Sequence, residues 1–295
     1  MKAKNLATIY AILAAALYAL NVPFSKMLLT NVAPTMMAAF LYLGAGVGLF
    51  VCGAAAKITG KGTKADHLTK KELPYTVAMV ILDIIAPILL MFGIRISSAA
   101  NVSLINNFEI VATSVIALVV FKEVISKRLW IAIVLVTVAS VILTFESAAA
   151  FQFNIGSLFV FGACLCWGFE NNCTRMISNK SSVEIVVIKG VFSGLGSLIV
   201  ALILGESFPD VLWLLCALLL GFFAYGLSIH FYIMAQKDLG AAKTSAYYSI
   251  APFLGVIFGV TFLGERPAIQ FYAALLVMLV SVYLMTKDTA QPQYT

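Results

Sequence analysis

Asn106, Asn107 and Glu109 stand together inside an apolar run, residues 103 to 123, that is long enough to cross a bilayer. A carboxylate at the centre of a spanning helix costs about 2.5 to 3.5 kcal/mol, and such residues face a wet chamber or a partner charge. Asn106, Glu109 and Thr113 fall at i, i+3 and i+7, on one stripe of a helix. No basic residue occurs between Ser103 and Phe121. A lone carboxyl group with amide and hydroxyl neighbours can carry a proton or pair with an ammonium group. Asp83 and Glu170 are two further acids set in apolar sequence. Each acid also has a plain structural reading, a salt bridge to Lys26, Arg175 or Lys189.

The rest of the chain must hold these groups in lipid. Of 295 residues, 62% are hydrophobic and 11% charged, and the mean hydropathy is +1.03. Soluble domains carry about 25% charged residues, so the composition is that of an all-α polytopic membrane protein. A spanning helix needs about 20 apolar residues. That ruler gives ten transmembrane helices, at about 7–29, 34–56, 75–94, 99–121, 129–146, 155–174, 183–204, 211–235, 243–263 and 268–286. Lys2 and Lys4 ahead of an Ala/Leu run imitate a signal peptide, but the run continues to Leu29, which favours a retained first helix.

With both termini cytoplasmic, fifteen of the 19 Lys and Arg residues fall in inner segments. That bias fixes the orientation of a multi-pass protein of the cell membrane, inner or plasma, and explains the net charge of +6 without a nucleic-acid partner. Cys52, Cys164, Cys166, Cys173 and Cys216 all lie in apolar stretches without a CxxC pair, so they read as small hydrophobes rather than metal ligands or disulfides.

The two halves repeat one pattern. A shift of 142 places Glu265 on Glu123, Ser245 on Ser103 and Lys237 on Arg95, and a shift of 149 places Trp167 on Tyr18 and Arg175 on Lys26. At 148, Gly194 and Gly196 fall on Gly46 and Gly48. Residues 1–147 and 152–288 thus form two five-helix repeats, and an odd helix number makes the second enter the membrane in the opposite sense. Inverted repeats of this kind allow alternating access to a midplane site, which points to a transporter.

With "FKE" at 121–123, "LGE" at 263–265, Pro252 thirteen residues before Glu265, and Trp167-Gly168 followed by Arg175, each half resembles the EamA repeat of the drug/metabolite transporter superfamily. The resemblance implies a ten-helix exporter of small metabolites, with a central cavity built mainly from helices 1, 3, 4, 6, 8 and 9. The first half departs from the pattern, with Ile110 at the position of Pro252 and Tyr18-Ala19 at that of the Trp-Gly pair.

At about 1.5 Å rise per residue, Asp83 and Glu109 both lie about 12 to 15 Å deep and could share one chamber. Pro87 cannot donate to the Asp83 carbonyl, and Pro23 cannot donate to that of Ala19, so helices 3 and 1 are expected to break or kink there. The repeat partners of Asp83 and Asn106 are Tyr225 and Tyr248, and Asn21 partners Glu170. One wall is therefore expected to be acidic and the other aromatic, with Tyr225, Ser228 and Tyr232 on one face of helix 8 and His230 close by. Candidate substrate-binding residues are Asn21, Asp83, Asn106, Glu109, Thr113, Glu170, Tyr225, Ser228, Tyr232 and Tyr248. Proton-coupling candidates are Glu109, Asp83 and His230. Gating candidates are Glu123, Glu265, Pro23, Pro87 and Pro252. Gly44/Gly48, Gly190/Gly194 and Gly255/Gly259 read as close helix contacts.

The cargo expected from an acid wall facing tyrosines is an amino acid, an amine or a related zwitterion or cation. A multidrug or cation exporter of the same fold is an alternative, as is an intramembrane hydrolase using Asp83 with Glu109 or His230, or a passive channel or scrambler. No HExxH, GxSxG or metal-ligand cluster supports the hydrolase, and no GxxxxGK[ST] points to ATP. No cofactor is expected, the partners are cargo, lipid and protons, and the sequence fixes no oligomeric state.

Overall fold

A computed structural model describes residues 2–59, 66–96, 105–106, 108–144, 155–251, 253–254, 257–258 and 269–288. Helices occupy all ten expected spans among these residues. The first span is split into α1 (Lys2–Tyr18) and α2 (Asn21–Leu28) by a turn at Ala19 and Leu20, as Pro23 demands. It is followed by α3 (Pro34–Ile58), α4 (Leu73–Ile96), α5 (Phe108–Val119) and α6 (Lys127–Thr144). The second half holds α7 (Ile155–Ile177), α8 (Ser182–Ile203) and α9 (Val211–Leu220). A π-helical segment, Gly221–Leu227, leads from α9 into α10 (Ser228–Leu239), then α11 (Ala241–Tyr248) and α12 (Ile269–Lys287). Helix α4 continues through Pro87 without interruption. Pro252 and Glu265 lie outside the described residues.

Helix ends are closed from across the molecule. Pro34 stands in the first turn of α3, where its missing N–H is no loss. The free N–H groups of Thr35 and Met36 donate to the Glu206 carboxylate at 3.2 and 2.8 Å. Ser181 caps α8 by accepting from the Glu184 N–H. The Glu184 carboxylate in turn accepts from the Leu68 N–H and meets His67 at 3.0 Å, which ties down the loop before α4. Gly240, at φ +82, turns the chain from α10 into α11 in a conformation that L side chains rarely adopt.

The helix contacts have the symmetry of an inverted repeat. The second and seventh spans, α3 and α8, cross each other, as do the fifth and tenth, α6 and α12. The pairing of α4 with α7 is mirrored by that of α1 with α10, and α5 with α7 by α1 with α11. Individual residues repeat the operation. Gly46 lies against Val191, and Gly194 against Leu43, which are the same contact shifted by 148. At Gly190 the backbones of α3 and α8 come so close that a Cβ would stand 2.3 Å from the Gly46 nitrogen. The expected role of the GxxxG spacings on these two helices is thus realised, whereas Gly255 and Gly259 lie outside the described residues.

Polarity is arranged inside out. Val47, Phe50, Val51, Ile131, Leu212 and Leu276 point outward and are more than half exposed, as lipid-facing side chains should be. Asn21, Asp83, Thr113, Glu170, Lys189, Ser228 and Gln236 are buried. Among the described residues, five helical stretches are long and apolar enough by themselves to cross a membrane, from Asn5–Leu28 to Val211–Leu239. The fold is a ten-span α-helical membrane protein of two inverted repeats.

Candidate functional site

Between the repeats lies a small cavity, with about 50 Å³ of room for water and an open mouth. One wall is aromatic. The rings of Tyr42, Tyr225, Tyr18, Tyr248 and Tyr232 form an unbroken series, with successive centroids 5.2, 5.9, 5.1 and 4.9 Å apart. They come from five elements, α3, the π-helical segment, α1, α11 and α10. The wider π turn sets Tyr225 between Tyr18 and Tyr42, and its two glycines bring it against α3. A Cβ at Gly221 would stand 2.2 Å from the Leu41 carbonyl oxygen, and one at Gly226 2.8 Å from Leu49. Single π turns occur often at functional sites. Trp167 lines the same cavity, so both members of the repeat pair Tyr18 and Trp167 contribute to it.

The charged wall comes from α4, α5, α7 and α8. The Lys189 ammonium lies between two carboxylates, 2.7 Å from Glu170 Oε1 and 3.1 Å from Asp83 Oδ2. All three side chains are almost wholly buried. Tyr42 donates its hydroxyl to Asp83 Oδ1 at 2.7 Å, and the Thr174 hydroxyl donates to Glu170. Glu109 is held differently. Its Oε1 accepts from the Asn171 amide at 2.9 Å, and among the described residues none of the ion pairs includes it. The same Asn171 amide reaches Thr113 Oγ1 at 3.3 Å, while Gln236 donates to the Asn171 carbonyl at 2.9 Å. Asn172 donates to the carbonyls of Thr113 and Gly168. Amides of α7 thereby fix both the acid-bearing turn of α5 and the strand of contacts leading to α10.

Of the sequence candidates, Glu109, Glu170, Tyr225, Tyr232 and Tyr248 line the cavity. Asp83, Asn21, Ser228 and Thr113 stand one hydrogen bond back from it, through Tyr42, Tyr225, Tyr248 and Asn171 respectively. Asn106 is not part of the lining; its backbone carbonyl accepts from the Cys164 thiol at 3.6 Å. His230 is not part of the lining, and its ring lies against Phe231, with centroids 5.4 Å apart. Pro23 follows the break between α1 and α2, and Pro87 lies four residues beyond Asp83. Tyr42, Asn171 and Thr174 are lining residues that the sequence reading did not single out. Asn171 and Asn172 carried a signal, since paired amides in an apolar helix repeat the Asn106-Asn107 pattern.

Glu123 lies at another end of the bundle. Its carboxylate is buried and accepts from the Ala241 N–H at 3.2 Å, at the first residue of α11. A carboxylate there satisfies an unpaired donor and opposes the helix dipole. Glu123→Ala is expected to lower stability by about 1 kcal/mol, the usual worth of such a cap. Thermal unfolding of the purified variant measures it, and an unchanged midpoint would deny the contact any weight. Nearby, Asp288 accepts from Ser126 at 2.9 Å and meets Lys243 at 3.4 Å, binding the end of α12 to the start of α11.

Comparison with known proteins agrees with this architecture. Residues 5–145 and 154–287 each match the EamA-like transporter family. An uncharacterized transporter of Methanothermobacter thermautotrophicus is 26% identical over 284 residues, 91% of this chain and 82% of that protein. The uncharacterized transporter YyaM of Bacillus subtilis is 21% identical over 229 residues, covering 74% and 75%. A solved structure, named simply as a crystal structure of a protein, superposes with a TM-score of 0.79 over 95% of this chain and 96% of its own, and at 15% identity it shows a shared fold. Two family matches, one to each five-span half and together covering most of the sequence, establish that this chain belongs to the EamA-like transporter family.

Proposed function

We propose that this protein is a secondary active transporter that exports a small metabolite, an amino acid, an amine or a related zwitterion or cation, in exchange for protons. The observation that carries this reading is Glu109, a carboxyl group at the cavity wall that is held by an amide and is in no ion pair among the described residues. A group so placed can hold either a proton or the ammonium of a cargo, but not both, and that exclusion is what couples two gradients. Tyrosine faces attract ammonium groups by about 0.5 to 2 kcal/mol, more where water is excluded, and five of them line the opposite wall. The inverted repeats supply the second requirement, since exchanging the conformations of two similar halves opens one site to either side. Asp83 and Glu170 serve this reading through Lys189, as a fixed charged floor. On this reading the protein works in the cell membrane with both termini in the cytoplasm, an orientation supported by the Lys/Arg bias of its inner segments, and its partners are cargo, lipid and protons.

Glu109→Gln tests it. Glutamine keeps the oxygen that accepts from Asn171, so the fold is expected to hold, with a thermal midpoint close to that of the parent. In proteoliposomes, uptake or efflux driven by an imposed pH gradient is expected to fall to background, while gradient-independent exchange of cargo survives. Gradient-driven transport at the parental rate would remove Glu109 from the mechanism.

A further inference from the structure

We infer that the cargo is an organic cation that carries an ammonium group and no carboxylate. This narrows the transport reading above and rests on it. The balance of charge around the cavity is one-sided. Asp83, Glu170 and Glu109 gather at one cavity, and Lys189 is the single basic side chain in its described lining. Lys189 answers Asp83 and Glu170 together at 3.1 and 2.7 Å, so when the acids are ionised that group has one negative charge in excess and Glu109 adds a second. In a medium of low dielectric such an excess attracts an incoming cation and repels an incoming carboxylate.

The donors tell the same story. A cargo carboxylate needs hydrogen-bond donors, and the strongest one present, the Lys189 ammonium, is already shared between two acids. The Tyr42 hydroxyl donates to Asp83. Ser228 gives its one proton to the Ala14 carbonyl at 2.9 Å, so in its 3.0 Å contact with Tyr248 the tyrosine must be the donor. Two of the five tyrosine hydroxyls are therefore turned to the protein. The Asn171 amide is turned toward Glu109 and Thr113. What the cavity still offers is neutral donors, the Tyr225 hydroxyl, which accepts from Asn21 at 3.2 Å, the unpartnered Tyr232 hydroxyl and the Trp167 indole, together with ring faces and the Glu109 carboxylate; the charge left to meet a cargo is negative.

The test compares pairs of molecules that differ by a carboxylate alone: tyramine with tyrosine, tryptamine with tryptophan, and isobutylamine with valine. Dissociation constants are measured by calorimetry on the full-length protein in detergent at neutral pH. At least one amine is expected to bind, and each amine that binds should do so about tenfold or more tightly than its amino acid, the scale of one poorly screened charge contact. Glu109→Gln should weaken that amine by a similar factor. An amino acid binding as tightly as its amine overturns the inference, as does a panel in which no amine binds. The transport reading fails separately. Gradient-driven movement of a bound amino acid would leave it standing while the charge argument falls, and tight amine binding without gradient-driven movement would do the reverse.

Discussion

Lys189→Met is expected to lower stability by about 3 to 5 kcal/mol, the loss seen when one member of a buried ion pair is removed. The reason lies in what remains. Asp83 and Glu170 are 0% and 2% exposed, and both take their counter-charge from the one ammonium. Without it two carboxylates stand close together in an interior that cannot solvate them, so repulsion adds to the desolvation penalty. The residual hydrogen bonds from Tyr42 and Thr174 do not supply charge. Asp83→Asn and Glu170→Gln should each cost less, because Lys189 keeps its other acid. The triple variant Lys189→Met, Asp83→Asn, Glu170→Gln should recover much of the loss, since replacing a whole buried ionic group by neutral residues is often close to neutral. Thermal unfolding in detergent, read by tryptophan fluorescence, ranks the four variants against the parent. A single Lys189→Met variant as stable as the parent would mean that water reaches the group, and the picture of a fixed charged floor would be wrong.

This group also marks where the sequence stopped being informative. That Asp83 and Glu170 needed a partner or a chamber followed from the cost of a carboxylate in lipid, and three cations, Lys26, Arg175 and Lys189, were open to them. The choice depends on which helix faces meet. Lys26 is exposed, and Arg175 reaches back to Ser178 at 3.0 Å, leaving Lys189 where α4, α7 and α8 converge. The ten spans were legible because a span is a local property of about 20 residues, and the repeat was legible because its glycines and acids recur at fixed shifts. The stripe of Glu109 and Thr113 was legible for the same reason, since it depends only on helical periodicity. The π-helical turn at Gly221–Leu227 had no such signature, because its sequence continues the span without a charge or a proline and its register shift answers to contacts with α3. Tyr42 escaped notice because it sits on a helix otherwise made of small and apolar residues, and its hydroxyl matters only once Asp83 is brought opposite it.

Gly190→Ala is expected to be among the most damaging single-atom additions to the bundle. Its new Cβ would stand 2.3 Å from the Gly46 nitrogen, 2.5 Å from the Gly46 Cα and 2.7 Å from the Tyr42 carbonyl oxygen. All three are backbone atoms of α3, so no side chain can swing aside, and α3 and α8 must separate. Overpacking in a close-packed interior costs about 1 to 3 kcal/mol, and the site would feel it as well. Lys189 precedes Gly190 on α8, and Tyr42 faces it from α3, so separating the helices lengthens both the Lys189–Asp83 and the Tyr42–Asp83 contacts. The variant should therefore lose stability and cargo binding together. Gly162→Ala is the matched control. There a Cβ would come within 3.2 Å only of Leu89 Cδ1, the end of a side chain that can move. Alanine also favours the helix by up to about 1 kcal/mol over glycine. Its midpoint should equal or exceed the parent's. Equal midpoints for Gly190→Ala and the parent would show that α3 and α8 part readily. The two repeats would then be joined by the charged group of Asp83, Glu170 and Lys189 more than by their crossing.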